Sequence, residues 1–143
     1  MTRHGLAFRQ AEETDLARIV ELLVLGVVPG GPPSREDPDD LGPYRDALRA
    51  IADGGGVVVV ADLHGEVVGV CQLVVFRHLQ ARGGLCAEIE SVHVHPDHRG
   101  AGVGAALMHD AIARARELGC YRVLCRHRHN FLYAESVIMP TFS

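Results

Sequence analysis

Residues 99–104 read Arg-Gly-Ala-Gly-Val-Gly: one arginine, then three glycines on alternate positions. An apolar strand pattern ends just before them at Val94, Pro96 breaks it, and an apolar helical pattern follows at once. Such a strand-to-helix turn presents several backbone N–H groups together at a helix N-terminus, where the helix dipole favours negative charge. The chemistry it suits is the holding of a phosphate-bearing ligand. A tight turn alone would need only one glycine.

The run formally fits the dinucleotide fingerprint as Gly100-x-Gly102-x-x-Ala105. Several residues separate the strand end from the first glycine, however, and Val123–Arg128 holds no acid for a ribose hydroxyl. Too few residues follow for further strand–helix–strand units. A P-loop is opposed as well, because Ala105 and Ala106 stand where Lys and Ser or Thr are needed.

Other reactive side chains lie nearby. Glu88 and Glu90 share a face if their strand alternates regularly. His93, His95 and His98 are close in sequence and His127 and His129 alternate, but no Cys or Asp set has zinc-ligand spacing, so no metal is expected. The four cysteines form no C-x-x-C pair and sit in apolar contexts, which suits reduced, buried thiols in a cytoplasmic protein. Net charge is −4, and no Lys/Arg stripe tracks one face, so no nucleic-acid partner is expected. The short basic cluster Arg126–His129 reads as a solvated loop or strand edge. No signal pattern and no membrane-length apolar run is evident.

These groups need elements to hold them. At 143 residues, 48% apolar and 22% charged, the expectation is one globular domain over 1–143. Leu6–Arg9 reads as a strand. Thr14 is the expected N-cap of a helix carrying Leu16, Ile19, Val20 and Leu23. Pro29–Pro43 is a loop, and Tyr44, Ala47, Leu48 and Ile51 mark a second helix. Strands follow at Val57–Leu63, Val67–Phe76 and Leu85–Val94, with turns at His64-Gly65 and Gly83-Gly84. A helix after the glycines carries Leu107, Met108, Ala111, Ile112, Ala115 and Leu118, and Gly119 stops it. Tyr121–Cys125 is a further strand. The order predicts a mixed α/β (α+β) sheet with helices packed on it.

Arg99-Gly100-Ala101-Gly102-Val103-Gly104 resembles the Arg/Gln-x-x-Gly-x-Gly/Ala signature of the GNAT superfamily of N-acetyltransferases. Ile89-Glu90, Val92-His93-Val94, Pro96, Leu107-Met108 and Leu118-Gly119-Cys120 extend the resemblance, as do Thr14-Asp15-Leu16 and Val67-Val68-Gly69. Gln72-Leu73, His78-Leu79 and Ala87–Val92 resemble the small-amine branch that includes aminoalkylphosphonate acetylation. The resemblance implies the acyl-CoA N-acyltransferase (GNAT) fold: a mostly antiparallel mixed sheet with helices on both faces. It implies acetyl-CoA as cosubstrate and a small-molecule amine as acceptor; a homodimer is expected as one way to cover the sheet edge that missing last strands would expose. The backbone of Val92, His93 and Val94 would pair with the pantetheine arm. The N–H groups of Arg99, Gly100, Ala101, Gly102, Val103, Gly104 and Ala105 would cradle the pyrophosphate. Arg99 would add charge or brace the loop. Glu90, nine residues before Arg99, matches the position of a Glu proposed as general base in related enzymes, and the loop at Pro29–Pro43 would form part of the acceptor pocket.

The tail departs from that pattern. The family's Asn-x-x-Ala helix with its Phe-Tyr pair is met here only by Asn130, Ala134 and Tyr133, one step off register, and too few residues follow for the final strand pair. Tyr133 is the one downstream tyrosine able to replace the family's general acid. The expected activity is acetyl transfer from acetyl-CoA to a primary amine by direct attack. The rival readings are a catalytically impaired acyl-CoA-binding protein and a protein N-acetyltransferase.

Overall fold

Runs of valine alternate into strands and 3.6-residue apolar patterns pack on the sheet those strands make. The computed structural model describes residues 5–27, 29–126 and 133–136. Strands are β1 (Leu6–Gln10), β2 (Val57–Leu63), β3 (Glu66–Arg77), β4 (Leu85–Val94), β5 (Arg122–Arg126) and β6 (Tyr133–Ser136). Helices are α1 (Leu16–Leu25), α2 (Gly42–Asp53), the single turn α3 (Gln80–Gly83) and α4 (Val103–Glu117). The sheet order is β1-β2-β3-β4-β5-β6, antiparallel throughout except for the parallel pair β4–β5, which α4 connects.

The sheet separates two apolar clusters. On one face α4 lays Val103, Leu107, Ala111 and Ala115 in a row against Val59, Ala61, Leu73, Ala87, Ile89 and Val123. On the other, Leu16, Ile19 and Leu22 of α1 meet Val60, Val67 and Val70, with Tyr44 and Leu48 of α2 packed alongside. Full burial of a residue such as Leu107 contributes about 2 kcal/mol. Met108 and Ile112 are partly buried on the same side of α4, but Leu118 is exposed. It lies in the terminating turn, where Gly119 has φ +87° and the N–H groups of Gly119 and Cys120 donate to Arg116 and Ala115, a Schellman ending.

Other boundaries differ from the sequence reading for physical reasons. Thr14 does not cap α1; it lies inside a 3-10 turn, Glu13–Asp15. The Asp15 carboxylate holds that turn, accepting from the Glu12 N–H at 2.7 Å and from Arg9 at 2.7 and 2.9 Å. Arg9 also reaches Asp62 at 3.1 Å, which ties β1 and β2 to the start of α1. Helix α2 takes in Gly42 and Pro43, since proline fits a first turn where no N–H is needed. The His64-Gly65 turn has positive φ at both residues, as a two-residue hairpin requires. Before Gly84, Ala81 and Arg82 adopt left-handed conformations that the sequence did not signal. His78 Nδ1 fastens this turn to the sheet, 2.6 Å from the Tyr121 hydroxyl and 3.3 Å from Cys86 Sγ.

The tail contributes β6, which pairs with β5 from Val123↔Ser136 to Arg126↔Tyr133. The edge of β5 is therefore covered, by one strand and not by the closing strand pair for which the sequence leaves too few residues. His127, Arg128, His129 and Asn130 lie outside the described residues, as does the stretch 137–143. Among the described residues no helix is long and apolar enough to cross a membrane.

Two outcomes test this packing. The Arg9 guanidinium, aided by the Glu12 N–H, holds the Asp15 carboxyl below the usual carboxylate range. A depressed pKa means stability that is present at neutral pH and lost as pH falls through the native value. Asp15→Asn should therefore cost about 2 kcal/mol in urea unfolding at pH 7, with the gap to the parent narrowing below about pH 4; an equal gap at both pH values would refute the ionic role. Second, all four cysteines are free and buried. Burial pushes Cys71 up to about 12 and also raises Cys120 and Cys125. A disulfide reagent at pH 8 should label the thiols only after denaturation, and rapid labelling of Cys71 in the native protein would contradict this burial.

Candidate active site

Strand β4 carries most of the chemistry, and one residue sets how. Ser91 has φ +53° and the β3–β4 register slips there, from Gln72↔Glu90 to Val70↔His93. Two residues of β4 thus oppose one of β3, a β-bulge. The slip changes which parity faces which side. Ala87 and Ile89 face the α4 cluster before it, and Val92 and Val94 after it. Glu88, Glu90 and His93 stand opposite Val74, Gln72 and Val70, so they share the face covered by α1 and α2. Glu88 and Glu90 do occupy one face. Glu90 is half-buried, and among the described residues its carboxylate makes no hydrogen bond or ion pair.

The other flank of β4 opens at the same level. Parallel pairing with β5 runs from Cys86↔Arg122 to Ile89↔Cys125 and stops, while β4 continues to Val94. The β5-facing edge of residues 90–94 therefore has no strand beside it among the described residues. Backbone N–H and C=O groups on such an edge are ready to pair with an extended chain of amides. Val92 and Val94 anchor this stretch in the core, and His93 points to the other face.

Beyond Val94 the chain closes through short local bonds. The His95 N–H donates to the Val68 carbonyl at 2.8 Å, prolonging the β3–β4 ladder, and Pro96–His98 form a 3-10 turn. The Arg99 N–H donates to the Pro96 carbonyl, and Arg99 Nε donates to the Val94 carbonyl at 3.3 Å. Arg99 is thus a brace, and its own N–H is already engaged. The open donors begin one residue later.

Gly100 and Gly102 have φ +78° and +82°, and α4 starts at Val103 with Gly102 as an N-cap lacking any side-chain bond. The first helical donor is the Ala106 N–H, to the Gly102 carbonyl at 3.0 Å. No backbone acceptor among the described residues takes the N–H groups of Gly100, Ala101, Gly102, Val103, Gly104 or Ala105. Nothing lies within 4 Å of where a Cβ would stand at Gly100 or Gly102. The need for glycine at these two positions is conformational. At Gly104 it is not: the residue is helical, and a Cβ would meet Val94 Cγ2 at an ordinary 3.5 Å. A group with a fixed negative charge fits this concavity, since donors and dipole both face it.

Tyr133 begins β6 opposite Arg126, at the end of β5 where β4 and β5 part. The backbone thus puts it at the same end of the sheet as Glu90 and the glycine turn. The acidic loop between α1 and α2 is tied to Tyr44, whose hydroxyl donates to Glu36 and accepts from the Asp37 N–H. Among the described residues no three His, Cys, Asp or Glu side chains lie close enough together to hold a metal ion. Sequence reasoning missed the bulge. Its signal was the shift of apolar positions from odd (Ala87, Ile89) to even (Val92, Val94).

Comparison with known proteins places this arrangement. Residues 21–134 match the Acetyltransferase (GNAT) family model. Glucosamine 6-phosphate N-acetyltransferase of Trypanosoma brucei brucei is 34% identical over 122 residues, covering 83% of this chain and 78% of that one. A transcriptional regulator from Bacillus halodurans C-125 superposes with a TM-score of 0.76 at 31% identity, covering 87% of this chain and 83% of that one. A Salmonella typhimurium protein solved with its cofactor acetyl-CoA gives 0.67 at 26% identity, covering 85% and 69%. A six-stranded sheet parting at its one parallel pair, a glycine turn opening α4 and these likenesses identify the chain as a member of the GNAT family of acetyltransferases.

Proposed function

We propose that the protein transfers the acetyl group of acetyl-CoA to the primary amine of a small molecule by direct attack. The observation that carries this is the run of six unengaged N–H groups at the head of α4, directly beyond a strand edge left open by β5. In this reading Gly100, Ala101, Gly102, Val103, Gly104 and Ala105 hold the pyrophosphate. Arg99 braces their turn, and the backbone of Val92, His93 and Val94 pairs with the pantetheine amides. The acetyl-bearing end of the thioester then lies near the bulge at Ser91.

Acetyl-CoA supplies the activated acyl group. The chain's residues manage protons and position. An aliphatic ammonium titrates near 10, so its proton must be removed before attack at neutral pH. Glu90, half-buried on the α1–α2 face, is the proposed acceptor of that proton, directly or through one water. The N–C bond forms as the C–S bond breaks, and the thiolate needs a proton. Tyr133 is the proposed donor, supported by its position at the parting end of β5. A homodimer acting in the cytoplasm belongs to the same proposal.

Two measurements bear on it. Gly104→Val puts a branched side chain where the Gly/Ala position of the signature admits only a small one, and its CoA affinity by calorimetry should fall about tenfold or more, with the thermal midpoint measured alongside to show that the fold is kept. Parent-like affinity would remove Gly104 from the cradle, and failure of the parent to bind CoA would refute the reading as a whole. Glu90→Gln should lower kcat/KM by about 10²-fold or more at pH 7, and less at pH 10, where the free amine is abundant. Unchanged turnover at pH 7 would exclude Glu90 as the base.

A further inference from the structure

Between α1, α2 and the sheet lies a cavity of about 140 Å³. Leu16 and Ile19 of α1, Leu48 and Ile51 of α2, and Val58 and Val70 of the sheet give it apolar walls. Three polar residues reach it: Tyr44, Gln72 and Ser91. Gln72 stands opposite Glu90 in the β3–β4 register, and Ser91 is the bulge residue beside it. Glu90 is not itself a lining residue, but Gln72 across the ladder and Ser91 next to it both are, so the cavity borders the strand position that carries the carboxylate proposed to take the amine proton.

Among the described residues no Arg, Lys or His lines it. The cations of α2 face away: Arg49 and Arg45 approach Glu13 at 3.2 and 3.9 Å. A phosphorylated acceptor needs charge-assisted donors such as a paired guanidinium, and desolvating its phosphate among leucine and isoleucine side chains is strongly unfavourable. A primary amine on a hydrocarbon body meets the opposite balance. Its skeleton gains from leaving water, and its cationic end is matched by Glu90. The volume admits a body of roughly ten heavy atoms.

We infer that the acceptor is a small primary amine with an apolar body and no phosphate, its skeleton lying between α1 and α2 and its nitrogen at Glu90. This rests on the acetyl-transfer reading above. It departs from relatives named for a phosphorylated amino sugar.

The test is thiol release by the full chain with acetyl-CoA and two amine sets, alongside calorimetry with CoA. The apolar set is 3-methylbutylamine, hexylamine and 2-phenylethylamine. The phosphorylated set is glucosamine 6-phosphate and 2-aminoethylphosphonate. The apolar set should lead in kcat/KM by about tenfold or more. A lead by the phosphorylated set overturns the inference, as does CoA binding with no release from any apolar amine. Absence of CoA binding overturns the acetyl-transfer reading instead. A second arm uses Ala47→Phe, an exposed α2 position at the cavity that can take the larger side chain. It should raise KM for the best apolar amine about tenfold and leave KM for acetyl-CoA unchanged. An unmoved amine KM would show that this cavity does not hold the acceptor.

Discussion

The positive φ at Ser91 governs how everything else in the site is disposed. A non-glycine residue in that region costs on the order of 1–2 kcal/mol. The return is a strand whose two halves present opposite parities. Without the bulge, the alternation that puts Ala87 and Ile89 under α4 would turn Val92 and Val94 to the α1–α2 face and carry His93 under α4. With it, both halves of β4 bury apolar side chains on one face while Glu88, Glu90 and His93 stay on the other. The same bend coincides with the point where β5 stops pairing, so the strand's backbone is exposed along one edge at the level of the carboxylates.

The scaffold holding that bend is asymmetric. On one face α4 is locked by a row of small and branched side chains, ended by the Schellman turn at Gly119, and joined to β1 through Arg114, which donates to the Phe8 carbonyl at 3.3 Å. Its N-terminus is fixed by the Arg99 brace and by the two left-handed glycines. The other face is looser. Helix α2 has no fully buried residue, and it leaves a cavity beside the sheet. The ion pairs of Arg9 with Asp15 and Asp62 hold the start of α1 there, more by fixing geometry than by net Coulomb energy.

Most of this was legible in the chain. Valine runs marked β2 and β3, and apolar residues between turn signals marked β4, each to within a residue, because β-branched side chains favour the pleated surface and few alternatives compete. The Arg99–Gly104 spacing signalled the turn, since alternate glycines there have few other uses. Thr14 misled because the Asp15 carboxylate, through Arg9, offered the backbone a better partner than a threonine hydroxyl. Strand β6 was invisible, as four residues without alternation carry no periodic signal and the strand exists by pairing with β5. Arg99's engaged N–H and the unconstrained Gly104 could not be read at all, because both depend on where neighbouring backbone atoms fall. The cavity is a product of helix placement, which no local pattern encodes.

The division of side chains across the sheet has a consequence for how such a protein diversifies. The cluster under α4 and the cluster under α1 and α2 share no buried residue. Substitutions at Leu48, Ile51 or Val70 can reshape one wall without disturbing the row that seats α4 or the turn at its head. Mutational drift on the first face is thus uncoupled from constraint on the second. A lineage built on this sheet can try new chemistries on one side while the other side stays fixed.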